Sequence, residues 1–165
     1  LDFAIIKCRR DNMPDFDSTE IEDERLYAVI SRKRSGHGAN IMNLTDLGNY
    51  PLLTGEKESH FYIEMEKLYS ENNIPFNVSF MNTSDTSLMQ DMVRDDVGII
   101  LATESTARSL EDSEIAALPI EPRQDLVTLI IYPNKKKLRG AYLAFRNYVI
   151  DAYKRASISD SILME

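Results

Sequence analysis

The sequence predicts an α/β fold built on a parallel sheet covered on both faces. Two observations lead there: continuous apolar runs of strand length, "VGIILA" (97–102) and "LVTLIIY" (126–132) the clearest, and segments of helical period between the strands. A strand that is apolar throughout, not only at every second position, is buried on both sides. Parallel neighbours then need crossover connections, which lay helices on those sides.

Taken in order, "LDFAII" (1–6) and "LYAVIS" (26–31) read as strands. They are joined by "KCRRDNMPDFDSTEIEDER", which is polar, holds Pro14 and reads as a long surface loop. After the basic turn "RKRSGHGAN", "LTDL" supplies one short helical turn before the strand "YPLLT" (50–54). In "ESHFYIEMEKLYSEN", Phe61, Met65, Leu68 and Tyr69 fall at i, i+4, i+7 and i+8, which predicts an amphipathic helix. "FNVSFM" (76–81) alternates, with Phe76, Val78 and Phe80 on one side. Residues 84–95 read as a helix with Leu88, Met89, Met92 and Val93 as its inner stripe. "VGIILA" follows, then an irregular stretch to Pro122, then the run at 126–132. "GAYLAFRNYVIDAYKRA" closes the series as a helix with Tyr142, Phe145, Val149 and Tyr153 in a stripe.

Composition narrows the function. The 165 residues, 43% of them hydrophobic, suffice for one ordinary core or two small lobes. Acidic residues outnumber basic ones 27 to 19, for a net charge of −8, so this segment repels a phosphate backbone. The single cysteine, Cys8, excludes an internal disulfide and fits a reducing, cytoplasmic setting. With only two histidines, His37 and His60, no Cys/His metal spacing exists, and no cofactor or metal is expected. No apolar stretch reaches the roughly 18 residues of a membrane helix, so no membrane partner is expected. Leu1 stands where an initiator Met would, and the chain reads as a piece of a longer one.

In a parallel sheet the loops after the strands gather at one edge, where such folds bind ligands. Those corners hold Lys7 and Cys8, Thr54 and Gly55, Asn82 to Ser84, and Thr103 to Ser105. Three of the four are rich in hydroxyls and amides, and each precedes a helix whose backbone N–H groups favour an anion. The same residue types are the preferred helix caps, worth roughly 1 kcal/mol each, so each corner alone has that plainer reading.

These segments together carry a resemblance. "LDFAII", "EIEDERLYAVISRKRSGHG", "NLTDLGNYPLLT", "SLMQDMVRDDVGIILATESTAR" and "IAALPIEPRQDLVTLIIYPNKKKLRGAYLAFRNYV", in that order, resemble the effector-binding domain of LysR-type transcriptional regulators over nearly the whole chain, to about residue 156. The likeness is one of pattern: a first "lDlai" strand, a "lylv" strand leading to a His-containing turn, a "dL.dyPll" strand, and a "v..G.Gi.ll" helix-to-strand corner. The sequence departs from the pattern at Asp95, Asp96 and Val97 before Gly98, at Ala102 and Thr103 near a usual proline, and at "HGAN", where "HPLA" is common.

The resemblance implies a type II periplasmic-binding-protein-like fold of two lobes with mainly parallel sheets. Residues 1–34 and 118–165 would form lobe I, and residues 35–117 lobe II, with a small effector between them. It further implies that two strand–helix units expected before "lDlai" are missing, leaving lobe I incomplete at its N-terminal side. If those units would cover ~500 Å² of apolar face, its exposure forfeits ~12 kcal/mol at ~25 cal/mol per Å², comparable with the ~5–15 kcal/mol that holds a whole domain. Effector contacts are expected from Lys7, Thr54, Gly55, Asn82, Thr83, Ser84 and Thr103, with a cation at Lys7 suited to an anionic effector and Glu104 suited to a cationic one. The implied partners are that effector, further copies of the chain in a dimer or tetramer, and promoter DNA reached only through a helix-turn-helix region absent here.

Two other functions use the same lobes. A solute-binding protein of a transporter would need an export signal or lipid anchor. An enzyme would need a nucleophile, base and orienting group at one corner, whereas His37 and His60 lie far from any Ser or Asp with matching spacing. The reading from sequence is therefore a regulatory domain and not an enzyme.

Overall fold

A computed structural model describes residues 3–36, 38–81, 85–132 and 140–162. Eight strands and five helices follow in the order β1 (Ala4–Arg9), β2 (Asp17–Ser31), α1 (Arg32–Ser35), β3 (Met42–Asn43), β4 (Leu52–Thr54), α2 (His60–Glu71), β5 (Val78–Met81), α3 (Thr86–Arg94), β6 (Ile99–Thr103), α4 (Glu104–Leu110), β7 (Ile115–Glu121), β8 (Asp125–Tyr132) and α5 (Ala141–Ile162). The chain divides into two compact units: unit 1 holds residues 1–23 and 127–165, and unit 2 holds residues 24–126. The lobe boundaries expected from sequence, after 34 and before 118, lie inside unit 2.

Unit 2 is organised by β4. It pairs in parallel with β5 on one side (Leu52 opposite Val78) and with β6 on the other (Leu52 opposite Ile99, Leu53 opposite Ile100). The connections are helical, α2 leading from β4 to β5 and α3 from β5 back across to β6, as parallel strands require. β6 then pairs antiparallel with β2 (Leu26 opposite Thr103), β2 with β7, and β3 lies parallel to β7. The sheet is mixed, parallel where helices make the connection and antiparallel around β2.

Alternation along these strands separates two cores. Leu26, Ala28, Ile30, Leu52, Ile99 and Leu101 join α2 on one face, while Tyr27, Val29, Leu53, Ile100 and Ala102 meet Val93, Ala107 and Leu110 on the other. On α2, Met65, Leu68 and Tyr69 are almost completely buried, each contributing about 1.5–3 kcal/mol. The expected stripe on this helix is therefore core. The stripe expected on α3 is only partly so: Val93 is buried in the second core and Met89 and Met92 pack against that core, but Leu88 is exposed.

In unit 1, β8 pairs with β1 and with β2, around a small cluster of Cys8, Val127 and Leu129. Residues 17–25, expected to be loop, belong to β2. Apart from Ile21 their side chains are polar, yet charge pairs hold them. Arg10 meets Glu20 at 2.6 Å and Asp23 at 2.9 Å, Lys7 meets Glu22 at 3.6 Å, and the Thr128 hydroxyl donates to Glu22 at 3.2 Å. The irregular stretch expected before Pro122 contains α4 and β7. On α5, Val149 is buried but Tyr142 and Phe145, expected in the inner stripe, are exposed.

Two substitutions test this packing. A Cβ on Gly98 would stand 2.5 Å from the carbonyl oxygen of Pro51, so Gly98→Ala should cost about 1–3 kcal/mol; an unchanged urea midpoint would contradict the close approach. The Tyr69 hydroxyl is buried without a hydrogen-bond partner among the described residues, and burial pushes its pKa up. Tyr69→Phe should accordingly be neutral or stabilising by up to ~1 kcal/mol, and a clear loss in the same titration would reveal a partner for the hydroxyl.

Candidate functional site

The candidate site lies where β4 and β6 end. Because Leu52 and Leu53 face opposite cores, Thr54 falls on the Leu52 side; by the same alternation Thr103 falls on the side of Ile99 and Leu101. Two hydroxyls thus sit on one face at the same end of neighbouring parallel strands. Both residues are buried, at 7% and 4% exposure. A Cβ added to the next residue, Gly55, would meet nothing within 4 Å, so the corner is open there.

Helix capping does not account for either threonine. Ser59 caps α2, its hydroxyl accepting from the Tyr62 N–H at 3.2 Å. Asp85 caps α3, accepting from the Leu88 N–H at 3.1 Å. Thr103 precedes α4 without capping it through its side chain; its hydroxyl donates to that of Thr106 at 3.2 Å and lies 3.4 Å from that of Ser105. The Ser105 N–H is taken by the Glu24 carboxylate at 2.9 Å. At this corner the protein supplies its own anion.

Two more ties hold α4 along β2. The Tyr27 hydroxyl donates to Glu104 at 2.7 Å, with Arg108 5.0 Å above the Tyr27 ring. Burial, reinforced by Glu104, raises the Tyr27 pKa above the ordinary phenol value. At the far end Arg32 donates to Glu111 and to the Asp112 carbonyl, both at 3.0 Å. The short helix is clamped at its first turn and just past its C-terminal end.

The other expected contacts fare differently. Lys7 was expected after a strand but lies within β1, paired with Glu22, because β1 continues to Arg9. Asn82, Thr83, Ser84 and His37 lie outside the described residues. Glu104, expected as a selector of cationic ligands, is engaged by Tyr27. Sequence reading placed Ser105 at this corner but did not single out Glu24 or Thr106; for Thr106 the hydroxyl run "TEST" was the available signal. Among the described residues no group of His, Cys, Asp and Glu could hold a metal ion, and no helix is long and apolar enough to cross a membrane.

A family model described as the LysR substrate binding domain matches residues 1–154. The chain belongs to that family. Its fold is the type II periplasmic-binding-protein-like one expected, and the LysR substrate binding domain is the effector-sensing regulatory part of a transcriptional regulator. Solved structures agree in fold. The CcmR regulatory domain of Synechocystis PCC6803, in complex with 2-PG, gives a TM-score of 0.69 at 18% identity, over 93% of this chain and 74% of that one. The effector binding domain of QuiR, in complex with shikimate, gives 0.68 at 20% identity, over 93% and 72%. Full-length CbnR, complexed with its target DNA, gives 0.62 at 17% identity, and the chain spans about half of it, 52%. No curated protein matches the sequence. The family gives the solute-binding reading no support.

The frame around this LysR domain site is testable by pH. Asp112 accepts from Arg94 at 2.7 Å and from the N–H groups of Glu114 and Ile115, and these bonds, Arg94 first, lower its pKa. A carboxylate held below its ordinary value of about 3.9 adds stability above that pH and loses it as pH falls through the lower value. Asp112→Asn should therefore lower stability at pH 7 and flatten its fall in the acid range. Equal losses at neutral and strongly acid pH, by urea unfolding, would contradict that role.

Proposed function

We propose that this LysR domain senses a small anionic metabolite through Thr54, Gly55, Thr103 and the segment Asn82–Ser84. The observation that carries the proposal is the common face of Thr54 and Thr103, with cap duties met by Ser59 and Asp85. Glu24 shapes the expected effector. Since its carboxylate satisfies the Ser105 N–H, the β6 corner suits a neutral hydroxyl of the ligand, and an anionic group belongs at the β4 and β5 corners. Lys7 contributes at most a cation already paired with Glu22.

The same proposal extends to the whole protein. Occupancy of the site alters DNA binding by a separate helix-turn-helix region, in a homo-oligomer, dimer or tetramer, that works in the cytoplasm and catalyses no reaction. The likeness to CbnR, whose structure includes its target DNA, supports the regulatory role. The net charge of −8 is consistent with DNA contact made elsewhere.

Calorimetry with size-matched anionic, neutral and cationic metabolites tests the reading. Anionic hydroxy-acids should bind, and Thr54→Val and Thr103→Val should each weaken them roughly 10–100-fold, the loss of a hydrogen bond to a polar or charged group being ~1.5–3 kcal/mol. Binding confined to cations, or full affinity in both variants, would overturn it.

A further inference from the structure

The hydroxyls at the β6 corner run in one direction. A serine or threonine hydroxyl has a single proton to donate and two lone pairs with which to accept. The Thr103 hydroxyl donates to that of Thr106 at 3.2 Å, which commits its proton. Its contact with the Ser105 hydroxyl, at 3.4 Å, therefore runs the other way, with Ser105 donating. The result is a chain from Ser105 to Thr103 to Thr106 in which each bond polarises the next.

Thr103 is left with one capacity, its second lone pair. The residue is only 4% exposed, so bulk solvent has little access to that lone pair, and a donor on whatever occupies the corner is what satisfies it. The nearby Ser105 N–H, which could otherwise serve a ligand acceptor, is held by the Glu24 carboxylate at 2.9 Å. At Thr103 and Ser105 the protein thus asks for a proton and offers none.

We propose that this corner selects effectors by hydrogen-bond direction: Thr103 accepts from a hydroxyl of the ligand, and Thr106 is the positioning residue that keeps Thr103 an acceptor by holding its proton. The proposal rests on the reading that Thr103 addresses the effector, and it narrows the anionic class to hydroxy acids as against oxo acids of the same skeleton. An oxo group placed there would set lone pair against lone pair. Without the Thr106 oxygen the Thr103 proton is released, and the corner meets a hydroxyl or an oxo group alike.

Calorimetry on the intact regulator with matched pairs, lactate and pyruvate, hydroxyglutarate and oxoglutarate, mandelate and phenylglyoxylate, tests it. Each hydroxy acid that binds should do so at least ~10-fold more tightly than its oxo partner, because the partner leaves a buried acceptor unmet. In Thr106→Val that ratio should collapse toward unity, while in Thr106→Ser, which keeps the oxygen, it should persist. Equal affinity within the pairs, with Thr54→Val still weakening both members, would overturn the proposal and leave the anion reading standing. A ratio unchanged in Thr106→Val would overturn the role of Thr106, and binding of none of these anions would sink both readings together.

Discussion

The hydrogen bond from the Ile99 N–H to the Pro51 carbonyl, at 2.9 Å, sets the register on which the site depends. It forms at that distance because residue 98 is glycine, where any Cβ would collide with the same carbonyl oxygen. Once β6 is placed against β4, alternation decides which side chains share a face, and a slip of one residue would send Thr54 and Thr103 to opposite cores. The corner is thus a consequence of one close backbone approach, with no special property of either threonine required.

The helix that follows β6 is fixed by a second constraint. α4 is only seven residues long and has no side-chain cap of its own, so little intrinsic stability holds it. Glu24 and Tyr27 tie its first turn, and Arg32, on the continuation of the same strand, ties its C-terminal end. A preorganised corner results, and Glu24 gives it a negative group on the very N–H that would otherwise attract an anion. Charge and geometry together define what this corner accepts.

Much of this was legible in the sequence, for identifiable reasons. The strands at 50–54, 76–81, 97–102 and 126–132 are apolar enough, and the helix at 60–71 long enough, for period alone to place them. β7 was not legible, because "IAALPIE" contains three small residues or prolines among its seven and has Pro119 opposite Tyr27. α4 spans too few residues to display a period. The first half of β2 reads as a solvated loop because its cohesion comes from Arg10 and Lys7, partners distant in the pattern. Likewise Thr54 and Thr103 were visible as corner residues, while the bond between Glu24 and Ser105 joins positions far apart in sequence and needed the fold to be seen.

The central claim is that the hydroxyls of Thr54 and Thr103 address a single ligand. A crystal structure of the intact regulator with its effector bound tests it most directly. Both hydroxyls should lie within hydrogen-bonding distance of the same molecule; an effector seated elsewhere, with neither threonine touching it, would contradict the account.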